Sequence, residues 1–327
     1  MSAHTTNPRR RRVLAALGAL ASTSSFGATP PRAPRSPRSP RSPRRIVVLN
    51  WELTETLLAL GRAPVGIPLP DWYASGIVAP PLPPGVVDVG LLYQPNFDVL
   101  LTLAPDLLIV TPAHAALMTP LQRIAPTLTL GAYMSAAQPF EALCAETQTM
   151  ARALAAPDHA MALIAATQRG FAAAADAIAA TPTRATRPVI VAEALDERHF
   201  RVYGAGSLFD AVLARIGLRN AANPRDAAGR PQDAPWPTNA AGSATVALQR
   251  LFDVPQADIL LVGPLHDDLR AALSASPLWR ALPAVRERRV SVLPVIAAFG
   301  GLVSMQRFAA ALPVAQATLD NGGGGLA

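Results

Sequence analysis

The chain has 327 residues, of which half are hydrophobic and only 16% are charged, so it can bury a core and is not disordered overall. Its single cysteine, Cys144, excludes an intrachain disulfide and a cysteine-based metal cluster. The net charge is +7, and every basic residue is arginine; ten of the 29 lie in residues 1–45, which contain no acid, so the remainder is slightly acidic. This distribution argues against nucleic acid as a partner.

The first 45 residues have the pattern of an export signal followed by a spacer. Four arginines, 9–12, precede a short apolar stretch, 13–21, and then small residues. This is the layout of a secretory signal, and paired arginines before a mildly apolar run indicate the twin-arginine type. We expect a signal peptide over residues 1–28 and a periplasmic location. Residues 29–45 repeat Arg-Ser-Pro, which predicts a disordered, extended spacer.

The next segment, residues 46–156, is predicted to be an N-terminal α/β lobe. Short β-branched or apolar runs alternate with helical patterns along it. The strands are expected at 45–50, 64–68, 86–90 and 107–110, and the helices at 53–60 and 97–101. Strands and helices that alternate at this spacing predict a parallel sheet.

The remaining residues predict a spine and a second lobe. An alanine-rich helix over residues 157–181 follows, with apolar contacts expected from Met161, Leu163, Ile164, Phe171 and Ile178. The C-terminal α/β lobe, residues 182–319, has predicted strands at 188–192, 257–262 and 289–293, helices at 207–216 and 302–319, and a polar loop at 221–237. Residues 320–327 are expected to be a flexible tail. The predicted fold is therefore two α/β lobes with mainly parallel sheets, joined by one long backbone helix. In an exported chain this indicates a solute-binding protein.

Several short motifs resemble those of one family in order and spacing. They are Ile46–Trp51, Thr56–Gly61, Pro80–Pro83, Asp88–Gly90, Gln94–Asn96, Arg123–Pro126, Arg198-His199, Gly204–Phe209, Gly242-Ser243 and Pro277–Pro283. From residue 45 to about 318 the chain resembles the periplasmic iron(III)-hydroxamate siderophore-binding proteins of ABC importers. The resemblance implies a monomer that captures a ferric siderophore and delivers it to an inner-membrane permease. It also implies no cofactor and no catalysis.

The candidate ligand-binding residues lie on loops or directly after strands. A ferric siderophore carries a metal that is already coordinated, so its protein needs aromatic and apolar walls with a few polar groups. His114 follows a strand, where ligands of α/β proteins bind, and Arg198 can pair with an anionic oxygen. We expect ligand contacts from Trp51, Trp72, Tyr93, His114, Arg198, Trp236 and Phe299.

The chain departs from the family at several expected positions. The resemblance implies a hydroxamate-binding arginine where Leu92 stands, and pocket tryptophans where Ala241 and Ala297 stand. It implies a pocket tyrosine at His114. Acidic residues that dock the permease are replaced by Thr119 and Gln249. The siderophore and the mode of docking therefore stay open.

Three alternatives remain open at this level. In the first, the chain has the same fold but its cargo is haem, cobalamin or a catecholate siderophore, with Tyr93 or His114 as an axial ligand in the case of haem. In the second, the chain is a cell-envelope protein that is anchored by residues 30–45. The third is an enzyme, although a Gly-x-Ser-x-Gly elbow, a P-loop and a His-Glu-x-x-His pair are all missing. The adjacent residues His266, Asp267 and Asp268 cannot all face one metal ion from regular structure.

Overall fold

The computed structural model describes residues 43–180, 187–226 and 228–326. The predicted signal peptide and almost all of the predicted spacer lie outside the described residues. Among the residues that are described, no helix combines the length and the apolar content that a membrane crossing requires.

The N-terminal lobe is built on a five-stranded parallel sheet. Its strands are β1 (Ile46–Val48), β2 (Gly66–Ile67), β3 (Val87–Asp88), β6 (Leu107–Val110) and β7 (Thr127–Thr129), in the order β3-β2-β1-β6-β7. Between β3 and β6 lies a two-stranded hairpin of β4 (Gly90–Leu91) and β5 (Gln94–Pro95). The helices are α1 (Trp51–Ala59), α2 (Pro70–Gly76), α3 (Phe97–Leu103), α4 (Met118–Ile124) and α5 (Pro139–Ala153), with 3₁₀ segments at Pro112–Leu117 and Ala132–Ser135. The centre of the sheet is β1, which is buried on both faces, as its β-branched sequence predicts.

The C-terminal lobe has a mixed sheet of five strands. They are β8 (Val189–Ala194), β9 (His199–Tyr203), β10 (Ser243–Ala247), β11 (Asp258–Gly263) and β12 (Val290–Val295), in the order β10-β9-β8-β11-β12. The last two strands run parallel to β8, whereas β9 and β10 are antiparallel additions at one edge. The helices are α7 (Leu208–Arg215), α8 (Asp267–Ala275), α9 (Pro277–Ala281), α10 (Pro283–Arg286) and α11 (Leu302–Asp320), with a 3₁₀ segment at Leu248–Asp253.

One long helix, α6 (Pro157–Ala179), links the lobes, as the sequence predicts. It begins at a proline, which suits the first helical turn, and Gly170 does not interrupt it. Its buried face includes Phe171 and Ile178, seven residues apart and therefore on one stripe. The predicted contact of Met161 is wrong: this side chain lies off that stripe and is 59% exposed.

The C-terminal tail also differs from the expectation. The backbone N–H of Gly325 donates to the carbonyl of Val290 at 2.8 Å, so the tail lies along the edge of β12. A Cβ at Gly324 would lie 2.0 Å from the Arg288 carbonyl oxygen, so only glycine fits this approach. The polyglycine composition that suggested flexibility instead permits close backbone packing.

The largest buried cluster extends through both lobes. It contains residues of β1 and β6 in the first sheet, of β8 and β11 in the second, and of α6, α7 and α11 between them. The Phe308 side chain of α11 is fully buried, and its ring lies 4.6 Å from that of Phe209. The lobes are therefore joined by a shared core as well as by α6.

Replacing Phe308 with alanine tests this shared core. Because the residue is fully buried and the surrounding helices cannot collapse into the space, Phe308→Ala should lower the free energy of unfolding by about 3–5 kcal/mol. Val314→Ala on the exposed side of the same helix should cost less than about 0.5 kcal/mol. Urea denaturation followed by circular dichroism measures both. Equal losses for the two variants would contradict the packing described.

Candidate ligand-binding cleft

The wall contributed by the N-terminal lobe is formed where its parallel strands end. Trp51 follows β1, and Trp72 lies on the helix that follows β2. Since these strands are neighbours in the sheet, their ends bring the two rings together, with centroids 6.2 Å apart and planes inclined by 22°. The indole N–H of Trp51 donates to the Pro68 carbonyl at 2.7 Å, which fixes that ring. Trp72 is 64% exposed and offers an open aromatic face.

A second aromatic pair lies at the same end of the sheet, because β6 is the other parallel neighbour of β1. Tyr93 is at the turn of the β4–β5 hairpin, and His114 is in the 3₁₀ segment that follows β6. Their ring centroids are 5.6 Å apart, and the tyrosine is 59% exposed. The histidine is buried, so only the tyrosine presents a ring to a ligand.

The hydrogen bonds of His114 give this residue a structural role. Its Nε2 lies 2.7 Å from the Leu92 carbonyl oxygen, which can only accept, so this nitrogen carries the proton. Its Nδ1 then accepts from the backbone N–H and hydroxyl of Thr111, at 3.2 and 3.0 Å. With both nitrogens in use, His114 holds the hairpin against the end of β6 and positions Tyr93.

The C-terminal lobe meets this wall through the loop between β12 and α11. The half-buried Phe299 lies on that loop, and its carbonyl accepts from the hydroxyl of Tyr133 at 2.9 Å. One helical turn into α11, Arg307 donates to the Ile77 carbonyl of the first lobe at 3.0 Å and to the Val295 carbonyl at 2.7 Å. The lobes therefore touch at the end of β12.

A buried carboxylate crosses the same contact. Glu55 of α1 is fully buried and accepts from the backbone N–H of Ser304 at 2.8 Å and from its hydroxyl at 2.6 Å. Loss of hydration raises the pKa of Glu55 to about 7, against the lowering effect of these hydrogen bonds and of the Gly301 N–H. Burial likewise raises the pKa of Glu52, one turn earlier in α1. Burial thus favours the protonated form of both carboxyl groups.

Of the predicted site residues Trp236 and Arg198, only the first is buried in the core of the second lobe. Trp236 is only 2% exposed and belongs to the buried cluster of Phe200 and Trp279 on the other face of the second sheet. The polar sequence around it suggested an exposed loop, but its own ring covers that face of the sheet. Arg198 is exposed on the β8–β9 turn, and its nearest ionic partner is Glu197 at 3.6 Å.

Leu92 and Ala297 stand where the resemblance implied an arginine and a tryptophan. Leu92 gives its carbonyl to His114, and Ala297 lines a narrow crevice with Leu208 and Met305. Thr119 and Gln249 are both exposed. Within the described ranges, no group of three potential metal ligands is found, and His266 lies exposed at the start of α8.

Sequence reasoning missed Glu55, Tyr133, Ser304 and Arg307. One signal was present, since Glu55 is a charged residue between the apolar residues Leu53 and Leu57 of a helix that follows a buried strand. Its hydrogen-bonded partner is 249 residues away along the chain, so no local pattern identifies the pair.

Two α/β lobes that are linked by one helix, with aromatic side chains near the ends of parallel strands, define the class of bilobed solute-binding proteins. A family model described as "Periplasmic binding protein" matches residues 46–297. The chain is 31% identical to the iron(3+)-hydroxamate-binding protein FhuD of Escherichia coli over 291 residues, 86% of this chain and 88% of the relative. This chain belongs to the periplasmic binding protein family.

Solved structures show the same fold. FhuD of Vibrio cholerae bound to Fe³⁺–Desferal superposes with a TM-score of 0.73 at 24% identity, covering 84% of this chain and 98% of that one. The petrobactin-binding protein YclQ of Bacillus subtilis gives 0.62 at 18% identity, covering 84% and 93%. At these identities the likeness supports the architecture alone.

Substitution of His114 tests its structural task. His114→Ala leaves the Leu92 carbonyl and the Thr111 donors without their buried partner, which should cost about 1–3 kcal/mol of stability. His199→Ala removes an exposed histidine paired with Asp196 and should cost under about 1 kcal/mol. Thermal unfolding measures the difference. Amide hydrogen exchange at residues 90–96 should become faster in His114→Ala and not in His199→Ala. Unchanged exchange in His114→Ala would contradict the role of His114 in holding the hairpin.

Proposed function

We propose that this chain is the substrate-binding component of an ABC importer and that it captures a ferric siderophore between its lobes. The observation that carries the proposal is the paired aromatic wall of Trp51, Trp72 and Tyr93 at the strand ends. A siderophore complex presents a largely organic surface, which such rings can cover without ligating the metal. The relative in Escherichia coli is named for binding iron(3+)-hydroxamate, which supports the same class of ligand here.

The contact residues we propose are Trp51, Trp72, Tyr93 and Phe299, with His114 acting through Tyr93. Leu92, Ala241 and Ala297 supply neither a guanidinium nor large rings, so affinity would depend more on the first lobe. Haem is less well supported than a siderophore. Both ring nitrogens of His114 are hydrogen-bonded, so this residue cannot become an axial ligand of haem iron without losing one of those hydrogen bonds. The chain would act without a cofactor and without catalysing a reaction.

Residues 1–45 support export to the periplasm as part of this proposal. The arginines at 9–12 and the apolar stretch at 13–21 would form a twin-arginine-type signal within residues 1–28. The exported chain would act as a monomer that docks on an inner-membrane permease.

The export step is tested by fractionating cells that express the chain. Deletion of residues 1–28 should leave the protein in the cytoplasm, whereas the full chain should be recovered from the periplasm at a lower mass. Equal periplasmic recovery of both forms would contradict the proposed signal.

Ligand binding is tested by quenching of tryptophan fluorescence with ferric hydroxamates, ferric catecholates, cobalamin and haem. A ferric siderophore should quench, and Trp72→Phe should reduce the amplitude because that ring is the exposed reporter. Trp236→Phe is the matched control, since it removes a buried indole from the other lobe. No quenching by any ferric siderophore would contradict the function.

The placement of the cleft is tested with Tyr93→Ala. The loss of one exposed aromatic contact should weaken siderophore binding roughly tenfold, equivalent to about 1.4 kcal/mol. Leu101→Ala, at a similarly exposed position on α3 of the same lobe, should leave the affinity unchanged. If the two variants bind equally well, Tyr93 does not line the cleft.

A further inference from the structure

The N-terminal end of α11 is capped by a residue of the opposite lobe. The first N–H groups of any helix lack partners within that helix. Here Glu55 accepts from the N–H of Ser304, the third residue of α11, while the side chain at the cap position is only that of Gly301. The second carboxylate oxygen of Glu55 accepts from the Ser304 hydroxyl. A helix of the C-terminal lobe thus takes its cap from α1 of the N-terminal lobe.

The packing around this cap leaves no room for a side chain at Gly300 or Gly301. A Cβ at Gly300 would lie 2.8 Å from a carboxylate oxygen of Glu55, and one at Gly301 would lie 2.7 Å from the Thr56 hydroxyl. Both distances are below van der Waals contact, so glycines allow the two chains to approach. Glu55 is itself fully buried. A change in its charge therefore acts on the contact between the lobes.

Its surroundings decide which charge state is favoured. The positive end of the α11 dipole and the donors of Ser304 and Gly301 favour the carboxylate. Burial and the nearby Glu52 favour the protonated acid, and burial is the largest influence, so the pKa rises to about 7. Tyr73 of α2 and Tyr133 of the 3₁₀ segment also face this carboxyl group, and both keep their protons because their pKa values are raised. Among the described residues, Glu55 forms no ion pair with an arginine; Arg307 binds two carbonyls instead.

We propose that Glu55 is a positioning residue: its protonated form holds the two lobes together where α1 meets the start of α11, and loss of the proton weakens that hold. The consequence for ligand affinity rests on the proposed function, whereas the consequence for the stability of the joined lobes does not. The affinity of the chain for a ferric siderophore should then fall as pH rises through neutrality.

The sign follows from the two pKa values. The unfolded glutamate titrates near 4.5 and the folded one near 7, so between these values the folded chain holds a proton that the unfolded chain lacks. The stabilisation is complete below pH 4.5 and is lost as pH rises towards and through 7. Glu55→Gln, which imitates the protonated acid, should lack this dependence.

The first measurement is thermal unfolding of the mature chain between pH 5 and pH 8. The midpoint of the wild type should fall relative to that of Glu55→Gln by about 5 °C over this range. Glu141→Gln is the matched control, because Glu141 also joins the lobes, by an ion pair with Arg215, but is half exposed. Its pH dependence should follow the wild type. A parallel pH dependence of the wild type and Glu55→Gln would overturn the proposal.

Ser304→Ala gives a second test should Glu55→Gln fold poorly. Removing the hydroxyl deletes a donor that favours the carboxylate. The fall in the unfolding midpoint with rising pH should therefore still occur, but it should be centred above pH 7. A step that stays in place or moves downward would count against the assignment to Glu55.

The second measurement is the dissociation constant of a ferric hydroxamate at the same pH values. The ratio of wild type to Glu55→Gln cancels the pH chemistry of the ligand itself. The dissociation constant of the wild type divided by that of Glu55→Gln should rise with pH around 7. The rise should be roughly tenfold for each pH unit by which ligand binding raises the pKa of Glu55. A constant ratio would overturn the coupling to affinity. Failure of every variant to bind would instead contradict the proposed function, and the thermal measurement would still decide the role of Glu55.

Discussion

The structure depends on the contact between the start of α11 and the first lobe. At this point α11 receives a cap from Glu55, its Arg307 binds the Ile77 carbonyl just after α2, and the loop before it binds Tyr133. Behind the contact, α6 lies along α11, where Gln306 donates to the Thr167 hydroxyl at 2.8 Å. These polar contacts surround a core shared by both sheets. The placement of one lobe against the other is therefore set by directional hydrogen bonds as well as by apolar packing.

This arrangement explains how a cleft can be both open and firm. The aromatic side chains proposed to line it belong mainly to the first lobe and are held by backbone carbonyls, as Trp51 is by Pro68 and Tyr93, through His114, by Leu92. A wall that is fixed before the ligand arrives loses little conformational entropy on binding. With α6 and the α11 contact holding the lobes, capture would require only small movements. The same contact buries a carboxyl group, and so makes the joining of the lobes sensitive to pH.

Much of the fold could be predicted because it depends on local patterns. The buried strands β1, β6, β8 and β11 are short apolar runs, and α6 begins at a proline. The strands β9 and β10 give a weak sequence signal because charged, polar or small residues interrupt their apolar positions, as Arg201 does in β9 and Thr245 in β10. The glycines of the tail predict flexibility, because composition does not show whether a backbone is approached closely, as it is at Gly324.

The site could be predicted only in part for a related reason. Residues that follow neighbouring parallel strands meet at one end of a sheet, which explains the contact of Trp51 with Trp72, whereas Tyr93 reaches His114 from the turn of the β4–β5 hairpin. Trp236 lies in a polar stretch whose sequence gives no indication that its ring is buried. The hydrogen bonds that join the lobes, such as that of Tyr133 to Phe299 across 166 positions, come from tertiary structure alone.

The firmness of the joined lobes is tested most directly by a distance between them. Spin labels at Leu101→Cys on α3 and Ser274→Cys on α8, in a Cys144→Ser background, would report it by double electron–electron resonance. The account predicts one narrow distribution whose mean changes by less than about 2 Å when a ferric siderophore binds. A broad distribution without ligand, or a shift of about 10 Å with it, would show that the lobes are joined by a hinge and would contradict the account.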